Sequence, residues 1–192
     1  IAITLAPLMK ISSISSVRIS TEQALSGGGR KLLAKAHSGE VISSEIPGEA
    51  ESVINELTKI LSSDFHIDAK CKRVTRDHGH YARIEVEFED SISAHQVIHS
   101  WQKLTARGQE LNLPSAPSKP IVFVDGELHD DHRWVGVEVA DHPGQDLKAA
   151  MSVAVGEVEV EGSSLRYSTM ADNTIRGAAG YSVLLVEQLL AD

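Results

Sequence analysis

Asp77-His78-Gly79-His80 places two imidazoles two residues apart, on one side of the chain if the segment is extended. Such a pair can move protons near neutral pH or begin a metal site. No third ligand follows at a suitable spacing, so a polar loop between strands is favoured over metal. His129-Asp130-Asp131-His132 reads the same way, as a solvated turn. Cys71 and Arg73, two apart on an apparent strand, share a face. A guanidinium beside a thiol favours the thiolate, but a lone strand cysteine is more often a small core filler. Ser26-Gly27-Gly28-Gly29-Arg30-Lys31 has the composition of a phosphate-cradling loop without its spacing, and a flexible turn is the simpler reading. Taken singly, none of these defines an activity.

The elements that would position them can be read from periodicity. Ile1 to Lys10 is apolar at near-helical spacing and reads as the tail of a helix whose beginning is missing. Val17 to Leu25 reads as a strand running into the Ser26–Gly29 turn. Gly48 to Ser62 is a helix, with Val53, Ile54, Leu57, Ile60 and Leu61 on one face. Ala69 to Thr75 and Tyr81 to Phe88 read as strands; in the second, Ala82, Ile84, Val86 and Phe88 alternate with Arg83, Glu85 and Glu87. Ser93 and Gln96 form a capping box for a helix with Ala94, Val97, Ile98, Trp101 and Leu104 inward.

Leu113 to Pro120 is a proline-stiffened connection that can be neither helix nor central strand. Ile121 to Val124, Trp134 to Val139 and Met151 to Val160 are further strands, with a bulge expected at Gly156 where the apolar phase slips. Asn173 is expected to cap a closing helix whose apolar face includes Val183, Leu184, Val186 and Leu190. Strands and helices mix without strict alternation, which points to an α+β fold with a mixed, largely antiparallel sheet and helices packed on it.

The 192 residues suit one domain, or two small ones. A content of 42% hydrophobic and 23% charged residues is ordinary for a globular chain. A net charge of -9 argues against a phosphate backbone gripped by a basic face, so no nucleic-acid partner is expected. No apolar run approaches the roughly 20 residues of a membrane span. A single cysteine excludes an internal disulfide and suits a reducing cytoplasm.

Five blocks, read in order, carry a family resemblance. They are Ser20-Thr21-Glu22-Gln23-Ala24-Leu25-Ser26-Gly27, Ile46-Pro47-Gly48-Glu49, Cys71-Lys72-Arg73-Val74 with Gly79-His80, Leu113-Pro114-Ser115-Ala116-Pro117, and Asp172-Asn173-Thr174-Ile175-Arg176-Gly177-Ala178-Ala179-Gly180. This succession resembles the second half of the aspartate-semialdehyde dehydrogenases and spans nearly the whole chain. The resemblance implies the C-terminal-domain fold shared with glyceraldehyde-3-phosphate dehydrogenase, with helices on one face of the sheet. It further implies that residues 1–192 form a substrate-binding and dimerisation domain, parted from a Rossmann domain that holds the nucleophilic cysteine. No G-x-G-x-x-G fingerprint occurs in this sequence.

Carried over residue by residue, the resemblance makes His80 the acid–base group and Gln23 the amide that orients substrate. Arg73 would grip the substrate carboxylate and Glu49 its amino group. Ser26, Gly27 and Asn173 would approach the nicotinamide cofactor, and no metal is implied. The family reduces β-aspartyl phosphate to aspartate semialdehyde with NADPH, in lysine, threonine and methionine biosynthesis, and works as a homodimer. The chain without its nucleophile is expected to be inactive. Cys71 matches a family cysteine that is not the nucleophile.

Thr75 replaces the family's proline, Gly28-Gly29-Arg30 replaces Ala-Gly-Tyr, and His78 is an added neighbour of the base. These departures keep open a non-catalytic paralogue that serves as a dimerisation or interaction module. The third alternative is an N-acetyl-γ-glutamyl-phosphate reductase domain, whose acetylated substrate offers no free amino group to Glu49.

Overall fold

A computed structural model describes residues 1–136 and 146–191. Six strands form one mixed sheet in the order β2-β1-β3-β6-β5-β4. They are β1 (Ile14–Gln23), β2 (His66–Arg73), β3 (His80–Phe88), β4 (Ile121–Phe123), β5 (Val153–Glu161) and β6 (Ser164–Ala171). The central pairings β1–β3, β3–β6 and β6–β5 are antiparallel, and β2 and β4 join the two edges in parallel. The helices are α1 (Ala2–Leu5), α2 (Gly29–His37), α3 (Glu49–Leu61), α4 (Ala94–Gln102), α5 (Arg107–Glu110) and α6 (Gly180–Ala191).

The main core lies where α1, α3 and α4 meet the sheet. Val17, Ile19, Ile67, Ala82, Ile84, Val86, Leu165 and Tyr167 pack there against Leu5, Leu57, Val97 and Trp101. The alternation in β3 therefore does what its period dictates: Ala82, Ile84, Val86 and Phe88 are buried while Arg83 is exposed. Trp101 donates its indole N–H to the Thr4 carbonyl at 2.9 Å and lies 4.9 Å from the Tyr167 ring. Thr4 Oγ1 and the Tyr167 hydroxyl complete the buried network at 3.0 Å. Burying these polar atoms is tolerable because each has a partner.

The capping box of α4 forms as its sequence requires: Gln96 N–H donates to Ser93 Oγ at 3.2 Å, and Ser93 N–H to Gln96 Oε1 at 2.9 Å. The phase slip in β5 is also real. Gly156 opposes Ser168 and Glu159 opposes Arg166, so β5 carries one extra residue between them. Glu157, in that gap, has φ 54° and turns its carboxylate to the face away from the main core. There it accepts hydrogen bonds from Tyr81 Oη at 2.8 Å, Ser168 Oγ at 2.6 Å and the Leu128 N–H at 3.1 Å.

Several expectations need correction. The opening helical tail breaks at Pro7 into α1 and a 3-10 turn, Leu8–Lys10. The first strand ends at Gln23, because Leu25–Gly28 is a 3-10 turn. The second strand ends at Arg73, short of Thr75. Residues 29–37 form α2, which sequence periodicity passes over because it buries no side chain. On α3, Ile60 is 64% exposed and lies outside the buried face. Trp134 belongs to a 3-10 turn, Asp130–Trp134, and not to a strand; 137–139 lie outside the described residues.

The closing helix differs most. Asp172, not Asn173, caps its approach: Asp172 Oδ1 accepts from Thr174 N–H at 2.8 Å and Ile175 N–H at 2.9 Å. A π-helical turn, Ile175–Ala179, then leads into α6. Of the apolar residues expected inward, Leu184 alone is buried; Val183 and Val186 are exposed, and Leu190 is 84% exposed.

Candidate functional site

The ends of three adjacent strands build the site. Gln23 closes β1, and it stands beside Arg73 at the end of β2 and opposite His80 at the start of β3. Residues of sequence distance 57 or less thus become lateral neighbours through strand pairing alone. Ala171, at the end of β6, pairs with His80 and delivers Asp172 and Asn173 to the same rim. Glu49 starts α3, and its carboxylate accepts a short hydrogen bond from the Gln23 amide.

Gln23, Gly27, Glu49, His80 and Asn173 line one cleft of about 830 Å³, together with Ile1 and Arg176. Arg73 is set slightly back: its Nη1 donates to the Ala24 carbonyl at 2.8 Å and lies against Gly27. A Cβ on Gly27 would come within 2.9 Å of that nitrogen, so the loop passes the guanidinium at a distance only glycine allows without displacement. Gly27 to Gly29 are exposed at the rim, and a loop without side chains leaves room for a flat ring to approach. These residues fit a nicotinamide group on that ground. Another cleft, of about 570 Å³ between the Leu8–Lys10 turn and α4, holds none of the candidate catalytic or binding residues.

His80 is half-buried, and its Nε2 is buried without a hydrogen-bond partner among the described residues. Burial lowers its pKa to about 4, with the Arg76 guanidinium adding to the effect. The ring is therefore neutral at pH 7 and can accept a proton at the cleft. Its neighbour Gly79 has φ 101°, a conformation that disfavours any residue with a side chain. Gly79 N–H donates to Asn173 Oδ1 at 2.8 Å, and its carbonyl accepts from the Ala24 N–H at 3.3 Å. Asn173 Nδ2 in turn donates to Ser26 Oγ at 2.9 Å. Ser26 and Asn173, both expected near a cofactor, are thus engaged with each other, and Asn173 also with the backbone of Gly79 next to the histidine.

The other candidates separate from the cleft. His78 is not part of its wall, which leaves His80 as the imidazole that faces it. Asp77 accepts from or shares a proton with His37 Nε2 at 2.9 Å, tying α2 to this loop. Burial pushes the Cys71 thiol pKa up, and the Glu49 charge adds to that, against a resting thiolate. His132 Nδ1 accepts the His129 N–H at 2.7 Å, the bond of a local turn. No group of three His, Cys, Asp or Glu side chains among the described residues is arranged to hold a metal ion. Sequence reasoning passes over Arg176, whose only signal is a lone cation before three small residues.

Relatives can now be set beside this geometry. The chain is 31% identical to a malonyl CoA reductase (NADP) of Metallosphaera sedula, over 98% of this chain and 54% of that protein. It is 30% identical to the aspartate-semialdehyde dehydrogenase of Methanothermobacter thermautotrophicus, over 97% of this chain and 55% of that one. No family profile matches the chain. Among solved structures, it superposes on the aspartate-semialdehyde dehydrogenase with NADP from Candida albicans with a TM-score of 0.75 at 23% identity, over 98% of this chain and 54% of that one. On aspartate-semialdehyde dehydrogenase II from Vibrio cholerae the TM-score is 0.71 at 21% identity, covering 99% and 59%.

The chain spans about half the length of the curated relatives it matches. Its fold is the mixed-sheet domain of a family of oxidoreductases, the C-terminal-domain fold shared with glyceraldehyde-3-phosphate dehydrogenase. That family is the aspartate-semialdehyde dehydrogenases, and this chain belongs to it.

Proposed function

We propose that this chain is the substrate-binding and subunit-contact half of an aspartate-semialdehyde dehydrogenase. The whole enzyme would use NADPH to convert β-aspartyl phosphate to aspartate semialdehyde, releasing phosphate. One observation carries this reading: Gln23, Arg73 and His80 stand side by side on three paired strands, with Glu49 bonded to Gln23 at the same cleft. An amino acid presents an ammonium and a carboxylate, and Glu49 and Arg73 supply the opposite charges. The planar fork of an arginine suits a carboxylate bidentately.

In this reading a second, Rossmann-type half carries the nucleophilic cysteine and most of the nucleotide site. Its nucleophile belongs just upstream of the segment Ile1–Lys10, and Ile1 lies on the cleft wall beside His80. NADPH supplies the hydride when bound. His80, neutral at pH 7, takes the proton of the group attacking or leaving the substrate carbon and returns it in the reverse direction. Gln23, held by Glu49, orients the substrate carbonyl. Gly27 gives the nicotinamide ring close access.

The same half would form a homodimer through the sheet face opposite the helices, where Arg18 and Glu85 pair at 2.7 Å, or through the loops that flank it. No helix among the described residues is long and apolar enough to cross a membrane, and a cytoplasmic enzyme is the reading that fits the family.

The test is an assay of phosphate-dependent, NADP-linked oxidation of aspartate semialdehyde. The chain alone should show none, and adding the Rossmann half in trans should restore activity. Turnover by the bare chain would refute the division of labour. A second reading, reduction of malonyl-CoA, is favoured by the relative of 31% identity. Malonyl-CoA has no ammonium for Glu49, so Glu49→Gln should lower kcat/KM for aspartate semialdehyde by about 10- to 100-fold. If malonyl-CoA is instead turned over by the assembled enzyme and Glu49→Gln is silent, the second reading stands.

A further inference from the structure

His80 Nε2 has no hydrogen-bond partner among the described residues, so no bond at that atom aims the ring. Its aim must come from the segment that delivers it, residues 74–79 between β2 and β3. Asn173 holds that segment at the Gly79 N–H. Arg76 holds it from another side. Its Nη1 donates to Asp130 Oδ1 at 3.0 Å and its Nη2 to the Glu22 carbonyl at 3.5 Å, while its own carbonyl accepts the Leu25 N–H at 2.8 Å. The side chain lies along Gly79, where a Cβ would stand 3.6 Å from Arg76 Nε.

Asp130 opens the 3-10 turn Asp130–Trp134, and that turn is itself fixed to the sheet. Leu128 and Val135, on either side of it, pack with Tyr81, Ala154 and Met170, and the Leu128 N–H donates to Glu157 Oε1 at 3.1 Å. At the other end of the turn, Arg133 Nε lies 3.5 Å from Asp172 Oδ2, and Asp172 follows Ala171, the strand partner of His80. The turn therefore grips the chain on both sides of His80 through ion pairs of opposite polarity. The Arg76 side chain is 20% exposed and that of Asp130 53%. A half-exposed ion pair adds little to global stability; what it fixes is the place of Arg76. We propose that Arg76 and Asp130 are positioning residues for the acid–base histidine. Asp130 holds the guanidinium against Gly79, and that contact sets the direction in which the His80 ring enters the cleft. Neither residue touches substrate. The assignment rests on the reading of His80 as the base given above. Its cost is kinetic, because a reacting group displaced by about 1 Å loses on the order of 100-fold in rate.

The test uses the enzyme assembled from both halves. Asp130→Asn and Arg76→Gln should each lower kcat for semialdehyde oxidation about tenfold, with the KM values for semialdehyde and phosphate within about twofold. Asp130→Glu, which keeps the ion pair, should restore most of the rate. Combining Asp130→Asn with Arg76→Gln should cost no more than Arg76→Gln alone, because the carboxylate acts through the guanidinium. Additive losses, a silent Asp130→Asn, or a KM that rises as much as kcat falls would each overturn the assignment. If the wild-type assembly oxidises no semialdehyde, the reading of function fails, and the positioning is then decided in the 192-residue chain from the His80 ring signals in NMR. Asp130→Asn should shift them and Asp130→Glu should return them toward wild type. Unmoved signals in Asp130→Asn, or equal shifts in both variants, overturn the proposal.

Discussion

Asn173 accepts the Gly79 N–H at 2.8 Å, so a side chain from the turn after β6 fixes the backbone step immediately before His80. The partners are 94 residues apart in the chain. Because the same amide also holds Ser26, it joins three separate segments at the rim of the cleft.

Removing that amide should loosen the histidine. In Asn173→Ala the His80 pKa should rise from about 4 toward 6.5 as water reaches the ring, measured by NMR titration of the imidazole. In the assembled enzyme kcat should fall about tenfold or more, with the semialdehyde KM little changed. A His80 titration curve identical to wild type would show that Asn173 does not position it.

His80 also makes stability depend on pH. Its folded pKa, about 4, lies below the unfolded value near 6.5, so below pH 6.5 the unfolded chain binds a proton that the folded chain refuses. Stability from this group is fully present above pH 6.5 and is lost as pH falls to 4, by up to about 3 kcal/mol. In denaturant unfolding between pH 7 and 4, wild type should lose stability relative to His80→Gln as the pH falls. Parallel curves would contradict the buried, neutral ring.

Gly27→Ala tests the close approach to Arg73. The added methyl would stand 2.9 Å from Arg73 Nη1 and must displace it. The loop is exposed, so the melting temperature should change little, while the semialdehyde KM should rise about 5- to 20-fold. Equal substrate affinity in the two proteins would remove Arg73 from the binding site.

Glu157 should matter for stability and not for chemistry. Glu157→Ala strips the acceptor from Tyr81, Ser168 and the Leu128 N–H, and should cost about 2–4 kcal/mol in chemical denaturation. Glu157→Gly should cost about 1 kcal/mol less, because glycine adopts φ 54° without strain. A larger loss for glycine than for alanine would mean the backbone there is not strained.

Periodicity and capping made the centre of this fold readable in sequence. The β3 alternation and the Ser93–Gln96 box are local, and local chemistry sufficed to form them. The bulge at Gly156 was legible for the same reason, as a slip in an apolar pattern. Where a segment's burial depends on distant partners, the pattern misleads. The apolar residues of α6 read as an inward face, yet Val186 and Leu190 are exposed and Leu184 is buried. Helix α2 was silent because it covers no core, and its tie to the rest runs through His37 and Asp77.

The site was legible through family resemblance more than through physics. Composition and spacing marked His80 and Arg73 only as ambiguous polar residues and Gly27 only as part of a flexible turn. Their adjacency follows from strand pairing, which no local pattern records. The Asn173–Gly79 bond and the Arg76–Asp130 pair depend on tertiary packing alone, and neither has a sequence signature.

The extra residue in β5 governs how the rest of that strand faces. Val155 on one side of it and Val158 and Val160 on the other all turn toward the main core, although an uninterrupted pleat would send the latter two outward. Excising Glu157 alone would restore a regular pleat with Val158 and Val160 still facing the core and Glu159 still opposite Arg166, because Glu157 is the extra residue that set their phase. What the deletion removes is the carboxylate shared by Tyr81, Ser168 and the Leu128 N–H, so losing this one residue should cost about as much as Glu157→Ala and leave the facing of the strand intact.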